Sequence, residues 1–147
     1  MGRPVVTVAD GPGRPLVVGV GASRGVSYDE LADTLAAALA AAALEASAVG
    51  TVATLDGKRG EPGIHALAEA LGAELVWLPA EVLANVPVPT PSDVVRAAVG
   101  TPSVAEAAAL AAARGGDLLI RKTLSDRTPS LCTIAVACHR VGGTGTR

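Results

Sequence analysis

An apolar run, Leu16–Val20, breaks into the glycine-spaced loop GVGASRG (Gly19–Gly25), and a capped helix follows; no other feature constrains this chain as much. A buried strand, a tight turn and a helix in that order form the opening unit of an α/β domain. Ser27-x-x-Glu30 reads as a capping box, and the Ala/Leu helix that it starts is expected to reach about Ala46.

The same grammar continues along the chain. Val49–Leu55 reads as a second strand, Asp56–Gly60 as a polar turn, and Pro62–Leu71 as a helix with proline at its first position and Gly72 at its end. Leu75–Leu78 predicts a third strand and Ala80–Ala84 a short helix. Pro87, Pro89 and Pro91 exclude regular structure until Ser92 caps another short helix. Ser103-x-x-Glu106 is a second capping box, opening an alanine-faced helix to Ala113 that Gly115-Gly116 stops. Leu118–Lys122 and Thr133–Ala137 are the last strands, and the polar S-D-R-T-P-S loop between them allows a hairpin. The expected fold class is α/β, a three-layer α/β/α sandwich around a mostly parallel five-stranded sheet with an antiparallel edge pair. Residues 1–14 and 141–147 read as flexible tails, leaving one domain over 15–140.

Composition narrows the function. Half of the 147 residues are hydrophobic, enough for one domain with a core, yet there is one Trp, one Tyr and no Phe. The core is therefore built from Ala, Val and Leu, and stacking platforms for bases are missing. A formal charge of −2 provides no global field for nucleic acid or for an anionic membrane, so any anion site is local. Cys132 and Cys138 lie on one strand, about 20 Å apart at the strand rise, beyond disulfide reach; they read as reduced, buried thiols. C-x5-C with only His139 adjacent is no metal knuckle, and neither metal nor cofactor is expected. No signal peptide or membrane-spanning run is visible, and a soluble cytoplasmic protein is expected.

The candidate site lies in the turns. Gly19-x-Gly21-x-x-x-Gly25 is one residue longer than the dinucleotide fingerprint, and Asp56 lies too far on to bind a ribose, which argues against a nicotinamide or flavin. The loop is either a tight turn needing positive φ at glycine or a set of exposed amides that, with Arg24, holds carboxylates. Lys58 and Glu61 follow a strand end, where open sheets bind ligands; the plain alternative is a solvated loop with Lys58 paired to Glu61 or Asp56. Gly100, Thr101 and Ser103 stand at a helix N-terminus suited to an anion, although Ser103 and Glu106 also cap one another. Lys122 ends an apolar run and points either to water or to the same edge. Thr133 contacts either a ligand or a neighbouring strand. His65 and His139 lack the partners of a nucleophilic triad.

Four segments in this order, GVGASRG, LDGK…E, VGTPSVAEAAAL and K…T-I-A-V-A, resemble the cobalamin-biosynthesis family of CobE and the C-terminal domain of CbiG, over about residues 16–140. Where the family's first loop is like G-x-G-C-R-x-G, this chain has Ala22-Ser23-Arg24, with no cysteine and the arginine one place later. Lys58, Glu61, Ser103, Glu106, Lys122 and Thr133 match the family's polar positions. The resemblance implies a role in the corrin branch of vitamin B12 synthesis, as a carrier or accessory protein binding a precorrin or corrin intermediate beside other enzymes of the pathway. It also implies an alternative, a hydrolase opening the δ-lactone of cobalt-precorrin-5A with release of acetaldehyde, which CbiG performs with an N-terminal region not found in these residues. In that case Glu61 or Glu106 would handle water while Lys58 and loop amides stabilise the oxyanion. Homodimerisation is left open.

Overall fold

β1, Leu16–Ala22, is apolar on both sides because helices cover it from both sides. Val18 and Val20 pack with Leu31, Leu35 and Leu39 of α1, Tyr28–Ala41, and with Ile64 and Leu67 of α2, Pro62–Leu71. On the opposite face Val17 joins Leu83 of α3, Ala80–Ala84, and the alanines of α4, Val104–Ala113. The computed structural model describes residues 14–86, 104–114, 116–127 and 130–139. Its other strands are β2, Val49–Leu55; β3, Glu74–Leu78; β4, Asp117–Leu124; and β5, Cys132–Cys138.

The strands form one five-stranded sheet in the order β3-β2-β1-β5-β4. β1 pairs in parallel with β2, and β2 with β3, whereas β5 runs antiparallel to both β1 and β4. The three-layer α/β/α class holds, and the expected antiparallel pair forms, with β5 inside the sheet and only β4 at its edge. Burial explains this order. Ile134–Ala137 are fully buried and need neighbours on both sides, whereas β4 alternates exposed and covered residues and leaves Leu119 46% exposed.

α4 lies unusually close to β1, and Gly19 is the reason. A methyl group there would overlap the Ala105 carbonyl oxygen and come within 2.7 Å of the Ala109 nitrogen, so only glycine lets the alanine helix settle on the strand. Elsewhere the expected boundaries move by a few residues. α1 stops at Ala41 rather than near Ala46, its end marked by Ala43 at φ 58° and by the Leu44 amide donating to the Leu39 carbonyl. Only half of the first capping box forms: Ser27 Oγ accepts the Glu30 amide at 3.0 Å, while the Glu30 carboxylate turns elsewhere. Arg14, read as the last residue of a tail, donates to the carbonyls of Ser47, Leu71 and Gly72 and so closes the C-terminal end of α2. Residues 1–13, the helix expected after Ser92 and the C-terminal tail lie outside the described residues.

Candidate functional site at the carboxyl rim of the sheet

Because β1, β2 and β3 are parallel, the turns that leave them share one rim of the sheet. β5 enters at that rim, with Thr133 opposite Gly21 and Cys132 opposite Ala22, and β4 ends there, with Leu124 opposite Thr133. The first residues of α4 arrive at the same place: a Cβ on Gly21 would lie 3.5 Å from Val104 Cβ and 2.8 Å from Thr133 Oγ1. The loop at Gly21–Gly25, the turn at Lys58 and the start of the VAEAAAL helix therefore converge. Gly100, Thr101 and Ser103 lie outside the described residues.

Most amides of the glycine loop are already bonded within the protein. The Ser23 amide donates to the Leu131 carbonyl, the Val26 amide to the Ser23 carbonyl, and the Gly25 amide to Glu61 Oε1 at 2.8 Å. Gly25 has φ 84°, so the tight-turn reading of this loop accounts for that glycine. Glu61 thus ties the turn after β2 to the turn after β1. Cationic side chains stand at these same turns. Arg24 is exposed and Lys58 half-buried, and neither makes an ion pair among the described residues, with Asp56 and Glu61 included.

Glu106 is fully buried on α4, and its Oε2 accepts the Lys122 amide at 2.8 Å. The register of β4 against β5 slips between Ile120 and Thr123, so the carboxylate takes up a donor in the irregular stretch of β4 that contains Lys122. Thr133 Oγ1 lies 3.5 Å from the Gly21 carbonyl, a long contact with the neighbouring strand.

Two groups at the rim were not legible as such in the sequence. The first is Glu30, only 4% exposed, which accepts the Ser125 hydroxyl and the Leu131 amide at 2.7 Å and so holds both ends of the β4–β5 loop against α1. Those two bonds, with Arg127 nearby, keep its carboxyl below the ordinary value against the opposite pull of burial. Arg127 pairs with Asp33 of α1 at 2.7 Å and fastens the same loop. Beneath it Cys132 Sγ faces Thr34 Oγ1 at 3.7 Å, and burial pushes that thiol up. The second group surrounds Trp77, near the carboxyl end of β3, where the Arg59 guanidinium lies 5.3 Å over the indole ring and the His65 ring is 5.3 Å away. The only sequence signal for either group was residue type, because their partners come from distant segments.

Among the described residues no group of three or more His, Cys, Asp and Glu side chains gathers to hold a metal ion, and no helix is long and apolar enough to cross a membrane. Both cysteines, Cys132 and Cys138, are free thiols on β5.

Comparison with known proteins gives this architecture its relatives. A family profile described as "Cobalamin synthesis G C-terminus" matches residues 16–137. The crystal structure of CobE, a protein from the cobalamin (vitamin B12) biosynthetic pathway, superposes with a TM-score of 0.76 at 36% identity, over 84% of this chain and 92% of that one. Cobalamin biosynthesis protein chiG from Agrobacterium tumefaciens superposes with a TM-score of 0.63 at 30% identity, over 84% of this chain and 97% of that one. A putative cobalamin biosynthesis protein G homolog from Sulfolobus solfataricus shares the fold, with a TM-score of 0.65 at 24% identity; the match covers 86% of this chain and 37% of that longer one. No curated protein sequence matches significantly. With the profile spanning nearly all of the described strands and helices, and a solved relative above 30% identity, the chain belongs to the cobalamin synthesis G C-terminus family and is a cobalamin biosynthesis protein of the CobE and CbiG type.

Proposed function

We propose that this protein binds a carboxylate-bearing precorrin or corrin intermediate at the carboxyl rim of its sheet and serves as a carrier or accessory factor beside the other cobalamin enzymes in the cytoplasm. The observation that carries this reading is the convergence on one rim of two cationic turns, Arg24 and Lys58, that make no ion pair among the described residues, next to the start of α4. Lys122, further along β4, is half-buried near the same rim. A corrin-type ring carries several carboxylates around an apolar body, and dispersed cations on neighbouring loops suit it better than one deep phosphate cradle.

The alternative, a lactone-opening hydrolase, requires Glu61 or Glu106 to activate water. Glu61 is engaged with the Gly25 amide, and Glu106 is fully buried on the Lys122 amide, so both carboxylates have structural work in this state. That favours binding over turnover.

Titration of the purified protein with hydrogenobyrinic acid, followed by corrin absorbance, tests the proposal. A saturable spectral shift at micromolar ligand, weakened in Lys58→Ala and Arg24→Ala, is expected. No shift at tens of micromolar ligand would overturn it. Acetaldehyde release from the lactone-bearing intermediate would transfer the assignment to the hydrolase.

A further inference from the structure

Arg59 differs from the other cations of the rim in being held. Its guanidinium lies 5.3 Å over the ring of Trp77, the only tryptophan of the chain. Its backbone is pinned as well, because His65 Nε2–H donates to the Arg59 carbonyl at 2.7 Å. A guanidinium held over an indole by cation–π attraction spends none of its N–H donors on a hydrogen-bond acceptor, so they remain to meet another group. Among the described residues no carboxylate takes them, and the side chain is exposed. Glu61, two residues on, is engaged with Gly25 across the rim.

From these contacts we infer that Arg59 is a preorganised two-point clamp for a ligand carboxylate, with Trp77 as the residue that positions it. The inference rests on the proposal that the rim binds a polycarboxylate ring and assigns one of that ring's carboxylates to a named residue. An arginine in solution loses rotamer freedom when it binds; one already held over an indole has lost part of it beforehand. Lys58, next to it in sequence, carries the same charge as a flexible point donor without the fork. Arg59 is the contact that reads carboxylate geometry, and Lys58 contributes field.

The alternative for Arg59 is that its stem merely covers apolar indole surface. Affinities for hydrogenobyrinic acid separate the two roles. Arg59→Lys keeps the charge, and Arg59→Gln keeps much of the stem. If the planar fork binds, both weaken binding by about ten- to hundredfold, the range of a charge-assisted contact. Binding within about twofold of wild type in either variant overturns the inference while leaving the wider reading intact, and a wild-type protein that does not bind the corrin overturns both.

Trp77 is tested through a double-mutant cycle. Trp77→Leu is expected to weaken binding several-fold in the wild-type background and to have no further effect on Arg59→Gln, because its contribution passes through the guanidinium. Equal losses in the two backgrounds would mean that Trp77 only shapes the fold and would remove its positioning role. Thermal melts of each variant show that the folded protein is being compared.

Discussion

Glu106 Oε2 and the amide of Lys122 are 2.8 Å apart, joining the buried face of α4 to the irregular stretch of the edge strand β4. Removing the carboxylate leaves the part-buried Lys122 amide without that acceptor and empties a fully buried side-chain site on α4. Glu106→Ala is expected to cost about 1–3 kcal/mol of stability, and Glu106→Gln, which keeps an oxygen of similar reach, distinctly less. Urea denaturation midpoints measure both. An alanine variant as stable as the wild type would deny the contact its role.

Gly19 should be the least replaceable glycine of β1. Gly19→Ala puts a methyl group into the backbone of α4 at Ala105 and Ala109, and overpacking against backbone costs about 1–3 kcal/mol or more. Gly57 is the control, since a Cβ there meets nothing within 4 Å; Gly57→Ala is expected to stay within about 0.5 kcal/mol of wild type. Thermal unfolding of the pair gives the contrast.

Acid should loosen the β4–β5 loop through Glu30. Its folded-state pKa is depressed, so the unfolded chain takes up this proton first as pH falls. The stability it confers is present above the unfolded value, near 4.5, and is lost as pH drops from there through the lower folded value. Between pH 7 and pH 3 the stability gap between wild type and Glu30→Gln is expected to narrow, with the change concentrated below about pH 4.5. A gap independent of pH would mean that the charge of Glu30 is irrelevant to the loop.

Just past the end of α1, Ala43 has φ 58°, a conformation that costs an L-residue about 1–2 kcal/mol and glycine little. Ala43→Gly is therefore expected to stabilise the protein by about 0.5–1 kcal/mol, less whatever entropy glycine adds to the unfolded chain. A calorimetric melting temperature above that of wild type is the expected reading, and a fall would count against the left-handed cap.

The local features written in short stretches of sequence were legible: Leu16–Val20 as a buried strand, Pro62–Leu71 as a proline-started helix, and the turns at Gly21 and Lys58 as neighbours on one rim. Hydrophobic period, helix caps and the parallel order of strands act over a few residues or through topology rules, so no partner need be known in advance. The actual partners of Glu61 and Glu106, the Gly25 and Lys122 amides, were hidden, as were the second use of Glu30 and the approach of Arg59 to Trp77. Glu30 reads as half of a capping box until Ser125 and Leu131 are folded beside it, and its carboxylate then favours two donors in a buried site over one amide at an exposed helix end. Chemistry-bearing residue types, and the common rim of the Gly21 and Lys58 turns, followed from the sequence alone. Which of them remain available to a ligand was decided only by tertiary structure, because a hydrogen bond or a stacked ring depends on ångström-scale contacts between segments far apart in the chain.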